Sequence, residues 1–149
     1  MNNKNKSSIE KIGVPAPVKL SLLWASLMAL YIYNDYISMF VPGMIEMMSA
    51  GSFGPLGEAT DLTLLVVAVV MAIPASMIFL SSILPSGLSR SLNLIIGPIY
   101  TVIAVLTLFG SALFYQFIVL IEIIATLLII WIAARWPKQR IEPAKPDHA

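Results

Sequence analysis

A chain of 149 residues that is 58% hydrophobic and 11% charged, with a mean hydropathy of +0.88, has too little polar side chain to cover a water-soluble globule of its size. It contains no cysteine and a single histidine, His148, which excludes thiol nucleophiles, disulfide relays, iron–sulfur ligation and any intramembrane histidine for haem or proton transfer. The net charge of +1 conceals a split, because no base lies between Lys19 and Arg90 whereas Asp35, Glu46, Glu58 and Asp61 all do.

Residues 1–17 are polar and then punctuated by Pro15 and Pro17, and read as a disordered tail ending at a helix start. The apolar stretch from Leu20 to Phe40 is longer than a signal-peptide core and has no small-residue cleavage site before Tyr31 to Tyr36, so it reads as a retained first span over residues 18–40, stopped by Pro42-Gly43. A connection rich in glycine and proline follows over 41–59, in which Met44 to Met48 can form a short helix lying on the membrane surface. Further spans are predicted at about 60–84, 92–110 and 113–134, before a tail over 137–149. The short links around Pro85 to Ser89 and between the last two spans make antiparallel hairpins. The fold class is therefore an all-α, integral membrane, up-and-down four-helix bundle. Neither half repeats the other, so there is no sign of an inverted-repeat transporter.

Lys4, Lys6, Lys11 and Lys19 precede the first span, Arg90 separates the second from the third, and Arg135, Lys138, Arg140 and Lys145 follow the fourth. Bases are retained on the cytoplasmic side during insertion, so both termini are expected there, with the plasma (inner) membrane as the site. Trp24, Trp131 and Trp136 fall toward the same ends, where an indole can bury its ring and keep its N–H wet. Anionic headgroups are natural neighbours of that basic face, at about 1 kcal/mol per base. Nine scattered bases carry no nucleic-acid signature.

Lipid is as apolar as leucine, so polar and small residues mark the inward faces of the helices. In the first span Ser21, Trp24, Met28, Tyr31, Asp35 and Ser38 form one stripe; in the third, Asn93, Gly97, Tyr100, Ala104, Thr107 and Ser111; in the fourth, Tyr115, Val119, Glu122, Thr126, Ile129 and Ala133. The second offers the small-residue ladder Ala68, Ala72 and Ser76. Helix packing is the plain account of these stripes. Pro74 removes one backbone hydrogen bond from the second span, and Ser76 is the candidate for its repair.

Asp35 and Glu122 are the carboxylates well inside the spans, roughly 8 Å and 14 Å below the outer edge at about 1.5 Å per residue. Facing stripes would bring them to one site, bracketed by Tyr100 and Thr107, with Asn34 reaching in from the flank and Tyr31 and Tyr115 as further hydrogen-bond sources. No Lys or Arg is near in sequence to neutralise either acid. Such carboxyls must be protonated, share a proton, line a wet cavity, or bind a cationic or hydroxylic ligand. The plain alternatives are solvation of the shallower Asp35 and a structural hydrogen bond for Glu122. Glu46, Glu58 and Asp61 match no metal-loop spacing, and Thr60 or Asp61 is the expected cap of the second span.

Leu23-Trp24, Tyr31-Ile32-Tyr33-Asn34-Asp35, Ile73-Pro74-Ala75-Ser76-Met77 and Arg90 to Gly97 together resemble a bacterial family of small four-span membrane proteins known only as a domain of unknown function. That resemblance implies the four-span fold and no activity; the layout is also similar to the DoxX-like group, an architectural analogy. Three functions fit the residues. The simplest is a binding or accessory protein for a lipid-like ligand or a membrane partner. The second is an intramembrane acid–base isomerase or cyclase, in which two carboxyls in different surroundings divide protonation and deprotonation. The third is a proton-coupled transporter with Glu122 as the coupling acid. Membrane lipids, a small lipid-soluble ligand and a second copy of the chain are the expected partners; no cofactor and no metal is expected.

Overall fold

The computed structural model describes residues 13–109 and 112–136. Ser111, His148 and the bases Lys4, Lys6, Lys11, Lys138, Arg140 and Lys145 lie outside the described residues. Four long helices carry the chain: α1 (Ala16–Ser38), α3 (Asp61–Ile83), α4 (Ser86–Thr107) and α5 (Leu113–Arg135), with a short α2 (Met44–Ser49) between the first two. Each long helix has 22 or 23 residues, about 34 Å at 1.5 Å per residue, which is enough to cross a hydrocarbon core of about 30 Å. All four are apolar enough to do so, and the chain is a polytopic membrane protein.

Local chemistry explains where the helices begin and end. Pro17 lies in the first turn of α1, where a missing N–H costs nothing. Beyond α1 the chain reverses through Gly43, whose φ of +82° suits a residue without a Cβ. Thr60 caps α3 by accepting the Thr63 N–H at 3.2 Å, while Asp61 sits in the first turn at the positive end of the helix dipole. Only Leu84 and Pro85 separate α3 from α4. α4, the third long helix, thus opens at Ser86, earlier than hydropathy suggests, because Ser89 and Asn93 in its first turns are buried against protein rather than lipid. Ser89 is buried and donates to the Ser81 carbonyl at 2.9 Å.

Around the bundle the helices run α3, α1, α5, α4, and α3 meets α4 along the thinnest seam. Gly97 sets the closest approach, since a Cβ there would stand 2.8 Å from Cγ1 of Ile130. Lys19, Arg90 and Arg135 occupy one end of the bundle, and Glu46, Glu58 and Asp61 the other. Toward the Arg90 end the interior is dense, built from Leu20, Trp24, Leu27, Met77, Ala125 and Ile129, with Tyr100 on its far side. There the Trp24 indole donates to Asn93 Oδ1 at 2.7 Å, and the Asn93 amide donates to the Ser89 carbonyl at 2.8 Å and to Ser81 Oγ at 3.2 Å. Trp24 is fully buried, so it is a core residue and not an interfacial one; Trp136 is partly buried, and Trp131, 52% exposed, carries the Arg135 guanidinium 4.8 Å from its ring centre. Arg90 reaches across to α5, donating to the Ala133 carbonyl at 3.0 Å and to the Ala134 carbonyl at 3.2 Å.

Outward faces are apolar, with Leu22, Ile32, Leu62, Leu65, Phe79, Leu106 and Leu127 all exposed, as lipid requires. Exposed hydroxyls turn back on their own helix: Ser26 donates to Leu22, Ser82 to Phe79 and Ser91 to Gly87, at 2.9 to 3.0 Å.

Two faces differ from the sequence expectation. The inward stripe of α1 is Leu20, Trp24, Leu27, Tyr31, Asn34 and Ser38, so Ser21, Met28 and Asp35 stand one position to its side. On α3, Ala68 and Ala72 are exposed, and Pro74, Met77 and Ser81 are buried instead. Packing volume decides both cases: leucine and methionine fill the interior, and polarity does not mark them.

Candidate functional site

Beyond Tyr100, away from the Arg90 end, the dense interior gives way to a cavity of about 100 Å³. Every long helix contributes to its wall. From α1 come Tyr31, Asn34 and Asp35; from α3, Met71; from α4, Tyr100, Ile103, Ala104 and Thr107; and from α5, Tyr115 and Glu122. The six residues singled out from sequence, Asp35, Glu122, Tyr31, Asn34, Tyr100 and Thr107, therefore surround one space. Met71 and Ile103 carry no polar signal by which sequence could have found them.

Burial separates the two acids. Glu122 is 3% exposed and Asn34 is 4% exposed, whereas Asp35 and Thr107 are exposed. The latter two lie at the C-terminal ends of α1 and α4 and mark the mouth of the cavity. Asn34 and Glu122 face one another across the α1–α5 seam as a side-chain hydrogen-bonding pair, and Tyr115 pairs in the same way with Thr107. Since the Thr107 hydroxyl donates to the Ala104 carbonyl at 2.9 Å, it accepts from the phenol. Tyr31, Asp35 and Tyr115 line the same cavity as Glu122.

Among the described residues three buried side-chain polar atoms lack a hydrogen-bond partner: Ser21 Oγ, on α1 toward the Arg90 end, and two acceptors on the cavity. Asn34 Oδ1 and Glu122 Oε1 are both buried and both lack a hydrogen-bond partner. No lysine or arginine occurs between Lys19 and Arg90 or between Arg90 and Arg135, so no base on the helices sits at this level of the bundle. Among the described residues no group of acids and histidines has the arrangement to hold a metal ion.

Tyr100 has a second task. Pro74, buried within α3, cannot donate to the carbonyl four residues earlier, and the Tyr100 hydroxyl donates to that Val70 carbonyl. The repair comes from a neighbouring helix and not from Ser76, whose hydroxyl is spent on Ala72 of its own helix at 2.7 Å. Edge-on contact with Trp24, with centroids 5.9 Å apart, fixes the ring further. Tyr100 is thus a rigid floor between the packed half of the bundle and the cavity.

No curated protein and no solved structure matches the chain. The pattern of DUF6326, a family of unknown function, matches residues 16–143, which takes in all four long helices and the whole wall of the cavity, and the chain belongs to that family.

Proposed function

We propose that the protein binds a lipid-like or other membrane-soluble molecule and seats its polar part in the cavity beside Glu122. The observation that carries this reading is the pair of buried, unpartnered acceptors, Asn34 Oδ1 and Glu122 Oε1. Leaving a buried polar atom unsatisfied costs about 1–3 kcal/mol, and more if it is charged. Two such atoms on one small cavity are best accounted for by a partner that arrives from outside the chain. The packed interior from Tyr100 to Leu20 favours a binding site that opens at one end over a transport path. Retention of the basic end in the cytoplasm would make the opening face the opposite side of the plasma membrane.

A second reading draws on the contrast between the acids. Glu122 is buried and Asp35 exposed, and such a pair can divide proton donation and acceptance in an isomerisation or cyclisation. Product analysis of lipid extracts with and without Glu122→Gln separates this from simple binding.

The direct test is carbodiimide labelling of the protein in phosphatidylcholine vesicles at neutral pH in amine-free buffer, with modified sites located by mass spectrometry. The reagent attacks protonated carboxyls in apolar surroundings. Modification of Glu122, reduced at least about twofold by added lipid extract, is the expected result. A folded sample in which Glu122 stays unmodified, or in which no extract protects it, overturns the proposal.

A further inference from the structure

The site's chemistry narrows the ligand class, on the assumption that the binding reading above holds. Asn34 Oδ1 is a carbonyl oxygen and only accepts; Glu122 Oε1 does the same once its carboxyl gives up its proton on meeting a cation. At the mouth, Asp35 adds a third acceptor group, exposed and beside the same cavity. Three acceptor groups, two of them acids, converge where the helices supply no base. Tyr31, Tyr100 and Tyr115 add aromatic residues to the wall, and aromatic rings attract cations.

The cavity is small, about 100 Å³, so it suits a compact head, with the rest of a longer molecule passing out through the mouth. A primary ammonium meets each requirement: it is cationic, compact, and carries three N–H donors. We infer that the cavity receives a primary ammonium group, on a free short-chain amine or at the head of an amphiphile, held by Asn34 Oδ1, Glu122 Oε1 and Asp35. A quaternary ammonium brings the charge but no donor, and leaves both buried acceptors unpaired. A neutral hydroxyl has one donor for two buried acceptors.

Perfusion-induced infrared difference spectroscopy of the reconstituted full chain reads the carboxyl bands directly. With the protein in phosphatidylcholine, ethylammonium chloride and tetramethylammonium chloride are passed over it at equal ionic strength, and the titrations are repeated with Glu122→Gln and Asn34→Leu. The expected result is a saturable carboxyl signal for ethylammonium, at least about tenfold tighter than for tetramethylammonium, the factor carried by one good hydrogen bond in a buried site. The signal disappears in Glu122→Gln and weakens in Asn34→Leu. Circular dichroism on each variant verifies that its helices are intact, and Asn34→Asp, which keeps the acceptors, retains binding if Asn34→Leu does not fold.

Reconstitution in phosphatidylethanolamine distinguishes the two sources. If the lipid head is the ligand, the ethylammonium response is lost there by competition; if a free amine is the ligand, it persists. Equal responses to ethylammonium and tetramethylammonium, or none to either while Glu122 still reacts with carbodiimide and is protected by lipid extract, overturn the ammonium assignment and leave the binding site standing. Absence of carbodiimide reaction removes the binding site itself.

Discussion

Proline at position 74 supplies no N–H, and the Val70 carbonyl that it orphans is met by the Tyr100 hydroxyl from α4. This pairing predicts a strong dependence between two residues on different helices. Tyr100→Phe leaves the carbonyl bare and should destabilise the bundle by about 1–3 kcal/mol. In a Pro74→Ala background the new backbone N–H satisfies Val70, and the cost of Tyr100→Phe should fall by about 1 kcal/mol or more. A double-mutant cycle on detergent unfolding measures the difference; additive effects would show that the hydroxyl contributes nothing at Val70. Sequence announces the orphan carbonyl through Pro74 but gives no way to find its donor, which depends on how α3 and α4 are placed. The same holds for Asn34. Adjacent to Asp35 in the chain, it reads as a flank residue, yet it is the one that points inward, while the acid lies at the mouth. Polarity predicts which residues share a level in the bundle far better than it predicts their rotation about the helix axis.

Among the helices, α4 and α5 are the most legible, because their inward positions Asn93, Gly97, Tyr100, Glu122 and Thr126 are themselves polar or small. On α1 and α3 the interior is filled by Leu20, Leu27 and Met77, which look no different from lipid-facing residues, and the expected faces were displaced accordingly. Close contact of α4 with α5 rests on Gly97. Its replacement by alanine forces Ile130 to give way, so Gly97→Ala should cost about 1 kcal/mol and Gly97→Leu about 3 kcal/mol or more. Partial recovery on adding Ile130→Ala, followed by thermal unfolding in detergent, identifies the contact; no recovery would place the strain elsewhere. Substitution of Ala68 or Ala72, which face outward, should change the stability of the single chain by less than about 0.5 kcal/mol.

Across the whole molecule, charge and cavity are arranged along one axis. Lys19, Arg90 and Arg135 lie at one end, the acidic loop at the other, and the cavity in the half nearer the acids. The number of helices was legible because length and hydropathy report it directly. Topology can be measured without removing any native thiol, since the chain has no cysteine. Ser52→Cys should react with an impermeant maleimide added outside intact cells, and Gly87→Cys only after permeabilisation. The reverse pattern would invert the protein and turn the cavity's mouth toward the cytoplasm.

Arg90 connects two moments in the life of the chain. While the helices are being threaded into the bilayer it is the only base between the second and third spans, and in the proposed orientation, with both termini cytoplasmic, its charge would hold that hairpin's bend on the side of synthesis. α5 has not yet emerged, so the guanidinium has nothing to grip. Once α5 arrives, the same side chain fastens onto the Ala133 and Ala134 carbonyls and closes the negative end of the last helix. In that orientation biogenesis would read the charge, whereas the finished protein uses the planar fork. Arg90→Lys separates these tasks: the labelling pattern of the two cysteine probes should be unchanged, while resistance to unfolding drops by about 1 kcal/mol. Arg90→Gln removes both, and mixed orientation should then appear alongside the loss of stability.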